Sequence, residues 1–353
     1  MKGRSGVIAI AISLALSSML MPSRPALAGP NIAGSNYEPT RAELEQLLED
    51  LTRWLPGSWD SFPQVYYERT VQAPKLGEHE HWHRVFARID APQIGTHVFY
   101  GQINVGGRGG EMMPRSQILY DAVIDETRGV VSVTGQSPAD AEKYENLQDK
   151  PALWKEVRQR DPGAVRCDFV WRRSGTQIVG TLEGKQEAMR KYGPGTCTYM
   201  TGGAKDIEFY ADAEWVLGPE DLWLYDINRM AGNTFTGRDD RTHTRLARAH
   251  PFTCRVRDVK GERKLEGYDL GYVATVTATG GKPMELMLLR SALPAIGAPG
   301  LAERLRLSLH EPKNLKPATV VEAAATADAV ELRANGIDAN CARATVFAMP
   351  VGP

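Results

Sequence analysis

The chain has 353 residues, and 42 lysines and arginines stand against 43 aspartates and glutamates. A balance this even excludes the basic surface that holds nucleic acid and gives no pull toward an anionic membrane. The length suffices for one large β domain or two smaller ones, each with a buried core.

The first 28 residues have the form of a cleaved secretory signal. Lys2 and Arg4 supply the charged start, Val7 to Met21 the apolar run, and Ala26-Leu27-Ala28 an A-x-A site before Gly29. The run is about 15 residues, short of the ~20 that span a bilayer. No cysteine follows the site to carry a lipid, and nothing later approaches membrane-spanning length. The expectation is an exported protein, periplasmic or secreted, with residues 29–40 as a flexible lead-in.

Export implies disulfides. Cys167, Cys197, Cys254 and Cys341 make an even set without the C-x-x-C spacing of zinc or redox sites. Four cysteines permit three pairings. Cys167 with Cys197 and Cys254 with Cys341 is favoured, because each pair then lies within or beside one domain.

Regular structure begins at Thr40, a helix cap with Glu43 three residues on. Leu44, Leu47, Leu48, Leu51 and Leu55 follow at helical spacing, and Pro56-Gly57 ends the helix. The period then drops to two. Strands are expected at His81 to Ile89, Thr96 to Val105, Ser116 to Ile124 and Gly129 to Thr134. Two short helices are expected at Pro138 to Gln148 and Pro151 to Arg160, each opened by proline. Further strands follow at Arg166 to Trp171, Gln177 to Leu182, Ala204 to Ala211, Ala213 to Leu217 and Asp221 to Asn228. After His250, Gly267 to Thr279 and Pro283 to Arg290 flank Gly280-Gly281 as a hairpin. Leu301 to His310 reads as helix or strand, and Thr319 to Phe347 as alternating β patches. Many short strands with few helices predict a mainly β, antiparallel barrel with an N-terminal helix and a short helical insert. The domain limits are 41–254 for the barrel and 255–353 for a small β-rich C-terminal extension.

Three groups of residues bear on chemistry. Arg115 has the fork that meets a carboxylate, or it is a surface arginine paired with an acid; Asp226, on the apolar strand Leu222-Trp223-Leu224-Tyr225, offers an acceptor or acid, with a turn-capping aspartate as the preferred plainer reading. Tyr100 and Trp223 are candidate pocket aromatics, although aromatics on strands are more often plain core. In Glu78-His79-Glu80-His81-Trp82-His83, alternation puts His79, His81 and His83 on one face. Steps of ~7 Å along a strand keep three imidazoles from meeting one ion easily, so a metal site would take two of them and a residue from a neighbouring strand such as His97. A solvated polar face is the preferred reading, with a metal site or a ligand contact as the alternatives. No P-loop, G-x-S-x-G or H-E-x-x-H occurs. Gly106-Gly107-Arg108-Gly109-Gly110 lies between strands and reads as a hairpin loop.

Taken in order, these segments resemble the T-type bilin lyases, the CpcT/CpeT family. The matching pieces are Trp54-Leu55-Pro56-Gly57-Ser58-Trp59-Asp60-Ser61 with Gln64, then Phe99-Tyr100 with Gln102, then Pro114-Arg115-Ser116-Gln117. Cys167-Asp168-Phe169, Val179 to Lys185, Trp223 to Asp226 and Gly232 to Gly237 complete the set. The resemblance spans about Leu44 to Thr253 and implies a calycin-like barrel that guides a linear tetrapyrrole onto a protein cysteine. It implies Tyr100, Gln102, Arg115, Trp223 and Asp226 as ligand-binding residues, with Arg115 and Asp226 also catalytic. No cofactor beyond the bilin is expected. The expected partners are that ligand, an acceptor protein with a reactive cysteine, and a second copy of the chain in a homodimer. Thr236 stands where the family often has tryptophan, and the second arginine after Arg115 is absent. Both differences, with export, favour the alternative of a non-catalytic exported binding or envelope protein that keeps the barrel.

Overall fold

The computed structural model describes residues 38–70, 78–113, 116–160, 167–183, 196–200, 208–230, 233–236, 242–294 and 301–344. The expected signal segment, Arg115 and the side chains of 229–241 lie outside the description.

Helix α1 (Arg41–Trp54) starts as its sequence dictates. Thr40 accepts from the Glu43 amide while the Glu43 carboxylate accepts from Thr40, a reciprocal capping box. Its apolar stripe, Leu44, Leu47, Leu48 and Leu51, is buried. Gly57 adopts φ +141°, and the Arg248 guanidinium occupies the space a Cβ would need.

The barrel strands are β1 (Gly57–Asp60), β2 (Trp82–Arg88), β3 (Val98–Val105), β4 (Glu111–Met112), β5 (Ile118–Asp125) and β6 (Val130–Gln136). They continue as β7 (Asp168–Ser174), β8 (Gln177–Glu183), β9 (Thr196–Met200), β10 (Glu208–Leu217), β11 (Asp221–Met230), β12 (Asn233–Thr236) and β13 (Thr244–Arg248). Antiparallel pairing runs β11-β13-β1-β2-β3-β5-β6-β7-β8-β10, and β10 pairs back onto β11, which closes a ten-stranded barrel. Closure removes the exposed edges that an open sheet of this width would present. β4, β9 and β12 extend the sheet outside the ring. The segments expected at Ala204 to Ala211 and Ala213 to Leu217 are one strand where described, β10, because Asp212 continues the ladder opposite Ile227.

Inward side chains fill the end of the barrel under α1. Leu47, Leu51, Trp59, Phe99, Val131, Trp171 and Ile178 share one core. Trp59 is fully buried and donates its indole N–H to the Leu55 carbonyl at 3.0 Å. Trp215 lies 4.8 Å from Phe169, 5.9 Å from Phe86 and 6.2 Å from Trp171, centroid to centroid. Room for these rings comes from inward glycines: a Cβ at Gly180 would overlap Phe169.

The insert over residues 138–160 is present, but it forms turns and two single-turn 3₁₀ pieces (Leu147–Asp149 and Pro151–Leu153) instead of two α-helices. Asn146 takes a left-handed conformation that breaks helical progression, and Pro151 leaves too few residues before it to continue. Tyr144, Leu147, Trp154 and Val157 cover the outer face of the barrel at Ala87, Val98, Tyr100 and Leu119. A second helix, α2 (Phe62–Thr70), follows β1 and had no counterpart among the expected elements.

From Pro251 the chain builds a β-sandwich. Its strands are β14 (Pro251–Asp258), β15 (Gly261–Tyr268), β16 (Leu270–Thr277), β17 (Pro283–Pro294), β18 (Leu301–His310), β19 (Thr319–Ala324), β20 (Ala329–Ala334) and β21 (Ile337–Arg343). Sheets β15-β14-β21-β20 and β16-β17-β18-β19 share a core that includes Val256, Leu286, Leu307 and Leu332. The β16–β17 hairpin turns at Gly280-Gly281 as expected. The sandwich starts at Pro251, so residues 251–254, the last of the expected barrel, belong to β14. Cys254 pairs with Cys341 across β14 and β21, and Cys167 pairs with Cys197. Both are the favoured pairings. α2 lies between the two bodies, where Phe62 and Tyr66 meet Met287 and Leu289. Among the described residues no helix is long and apolar enough to cross a membrane.

Candidate functional site

α1 closes the end of the barrel where β5 turns into β6 and β10 into β11. The other end, where β2 and β13 begin, holds a cavity of about 240 Å³. Glu78, Glu80, Trp82, Leu224, Asp226 and Thr244 contribute to its wall. A larger hollow of about 350 Å³ lies against the turn between β2 and β3 (Arg88 to Thr96). It is lined by one stretch of chain and holds none of the expected site residues, so the barrel mouth is the better candidate.

Beneath the mouth lies a charged pair. The inward residues of β2 are Trp82, Arg84 and Phe86, and those of β11 are Leu222, Leu224 and Asp226. Arg84 Nη2 donates to Asp226 Oδ2 at 3.0 Å, and Trp215 Nε1 donates to Asp226 Oδ1 at 3.1 Å. The guanidinium is 5.1 Å from the Trp215 ring and 5.3 Å from the Trp82 ring, a double cation–π contact. Among the described residues, the buried Arg84 Nε–H has no hydrogen-bond partner. Tyr120 faces the same pair, and burial pushes its hydroxyl up to about 12. Each Asp226 oxygen spends one lone pair on its present donor and keeps capacity for another.

Of the expected ligand residues, only Asp226 is described in this lumen. Tyr100 and Gln102 stand on the outer face of β3, under the insert. The Tyr100 hydroxyl is shared between Gln102 Oε1 (2.7 Å) and the Tyr144 carbonyl (3.0 Å), and Gln102 Nε2 donates to Asn104 and Asn146. Burial raises the Tyr100 pKa. These two residues fasten the insert. Trp223 also faces outward, 41% exposed, with Arg245 over its ring at 5.7 Å. Arg115 lies outside the described residues. Arg84, Trp82 and Trp215 did not figure among the candidates. A lone arginine on an otherwise apolar inward face, Trp82-x-Arg84-x-Phe86, was the signal for them.

The histidines alternate as expected but do not form a solvated face. They lie beneath α2, with His79 also bordering the mouth cavity, and each meets a carboxylate. His79 Nδ1 is 2.6 Å from Glu68, His81 Nε2 2.7 Å from Asp60 Oδ1, and His83 Nδ1 2.9 Å from Asp60 Oδ2. Asp60 also accepts the Phe62 amide at 2.7 Å and so anchors the start of α2. Burial works to raise the Asp60 carboxyl, but hydrogen bonds from His81 and His83 outweigh it and hold it below the usual range. Among the described residues no group of three or more His, Cys, Asp or Glu is arranged to hold a metal ion.

No family model matches the chain, and no curated protein matches it. Among solved structures, the CRL protein of Arabidopsis is similar at 14% identity, over 56% of this chain and 95% of that one, with a TM-score of 0.37. A likeness of that degree carries no argument about ligand or activity.

Proposed function

We propose that this protein is a small-ligand binder of the bilin-lyase-like type, which takes an amphipathic, N–H-bearing molecule such as a linear tetrapyrrole at the mouth of its barrel. The observation that carries this reading is the carboxylate of Asp226, held by Arg84 and Trp215 in the wall of a cavity that Trp82 and Leu224 make partly apolar. Ligand sites of this kind combine apolar walls with a few fixed polar groups. Asp226 accepts ligand N–H groups while Arg84 and Trp215 hold it in place. At about 240 Å³ the cavity lies below the roughly 300–1,000 Å³ of sites that enclose a whole drug-sized molecule, so one end of a tetrapyrrole enters and the remainder stays at the rim.

Binding without transfer is the part of the reading that the chain supports best. All four cysteines are paired, so a thioether would form on an acceptor protein, with this barrel supplying orientation only. The two disulfides support export to an oxidising compartment. Titration of the full chain, disulfides intact, with biliverdin tests the reading. Saturable micromolar binding, weakened at least about tenfold (about 1.4 kcal/mol) by Asp226→Asn, supports it. A non-saturable absorbance change, or equal binding by a folded variant, refutes it. Adding a thiol-bearing acceptor peptide then separates transfer from binding.

A further inference from the structure

Only Ala249 and His250 join the end of β13 to the start of β14. His250 stands between carboxylates from opposite bodies. On the sandwich side, Asp269, wholly buried in the β15–β16 turn, lies 3.1 Å from its Nδ1 and accepts its backbone N–H at 2.8 Å. On the barrel side, Glu220 in the β10–β11 turn lies 3.3 Å from its Nε2. Two arginines complete the surroundings. Arg290 of β17 donates Nε to Asp269 at 2.7 Å and Nη2 to the Arg248 carbonyl, and its Nη1 lies 3.4 Å from Glu303 of β18. Arg248 lies 4.2 Å from the Trp59 ring and donates to the carbonyls of Trp54, Pro56 and Pro219, which ties the end of α1 to the same turn as Glu220.

We propose that His250 is a pH-responsive clamp between barrel and sandwich, which bridges Glu220 and Asp269 when protonated and releases Glu220 when neutral. The asymmetry follows from the imidazole. A neutral ring has one N–H, and Asp269, fixed by Arg290 and by the His250 amide, claims it at Nδ1. Nε2 then turns a lone pair toward the Glu220 carboxylate, and attraction becomes repulsion. The sandwich side holds and the barrel side lets go.

The balance of charges sets the window. Burial lowers the affinity of His250 for its proton, but the bonds to Asp269 and Glu220 outweigh burial and the opposing Arg290, and its pKa is raised. Burial likewise works to raise Asp269 and Glu220, yet both are held low by their partners, His250 first among them. A raised histidine contributes fully below its unfolded pKa and loses its contribution as pH rises through the folded value. The depressed carboxylates contribute above their unfolded values and lose theirs as pH falls through their folded ones. The clamp is therefore closed in mildly acidic solution and opens on the alkaline side.

Hydrogen exchange of the full chain at about pH 5.5 and about pH 8.5, corrected for intrinsic exchange, tests this. In the wild type, the amides of Gly218 and Arg248, which bond within and to the Glu220 turn, exchange roughly twofold to fivefold faster at the higher pH, the loss expected for one partly exposed ion pair. The amides of Asp269 and Arg290 stay protected. His250→Gln removes the pH step. Glu220→Gln, at an exposed site, removes it differently: its amide donates to the bare Nε2, so protection persists at high pH. A wild type without a step, or a Glu220→Gln protein that keeps the full step, overturns the proposal.

Discussion

Replacing Asp226 by alanine tests the charged pair at the barrel mouth. The side chains of Arg84 and Asp226 are 6% and 20% exposed, so the substitution leaves a guanidinium in the lumen with two indole faces and no carboxylate. Stranding a buried charge costs about 3–5 kcal/mol. The partial exposure of Asp226 and the two cation–π contacts place this case near the lower end, about 3 kcal/mol. Arg84→Met, Asp226→Leu together remove both charges and keep the volume, so the double variant recovers most of that loss, to within about 1 kcal/mol of wild type. Urea denaturation followed by tryptophan fluorescence is the assay. All seven tryptophans lie before residue 251, so the signal reports the barrel body alone. A loss below about 1 kcal/mol for Asp226→Ala, or a double variant no more stable than the single one, would refute the reasoning.

Other consequences are as direct. Asp60→Asn weakens the bonds to His81, His83 and the start of α2, at a cost of about 2–3 kcal/mol near neutrality. Because the Asp60 pKa is depressed in the fold, its contribution is present above the unfolded carboxylate value and lost as pH falls through the folded one. The gap between variant and wild type in thermal melts therefore narrows below about pH 4. Replacing Cys254 and Cys341 by alanine opens a link between residues 87 apart, which chain entropy puts at about 4–5 kcal/mol. The sandwich then melts first, seen as an early circular-dichroism transition that tryptophan fluorescence misses. Gly180→Ala drives a methyl into Phe169 and Trp171 and costs about 1–3 kcal/mol in the fluorescence-monitored urea curve.

Local chemistry in the sequence specified much of this fold. The Thr40–Glu43 box, the leucine stripe of α1, the strand alternation and the Gly280-Gly281 hairpin are all short-range signals, and each appears where its residues place it. Which face of a strand looks into the barrel is a different matter. On β3 both faces are apolar, Phe99 inward and Val98 and Tyr100 outward, because the insert covers the outside. Alternation alone therefore does not separate lumen from exterior, and Tyr100, Gln102 and Trp223, which the resemblance places on the ligand, do not line the mouth cavity. The prolines of the insert predict helices, yet its apolar side chains are spent on the barrel wall. α2 begins with Ser61-Phe62-Pro63, a serine start with proline in the first turn, but its packing partners Met287 and Leu289 come from far along the chain. The pairing of Arg84 with Asp226 spans 142 positions and depends on barrel closure, which no local pattern encodes.

The most direct test of the mouth as the binding site is hydrogen exchange of the protein with and without saturating biliverdin. Added protection should fall on Trp82 to Arg84 and Leu224 to Asp226, with the outer face at Tyr100 and the sandwich strands unchanged. Protection confined to the insert, the sandwich or the outer wall at Trp223 would contradict the account.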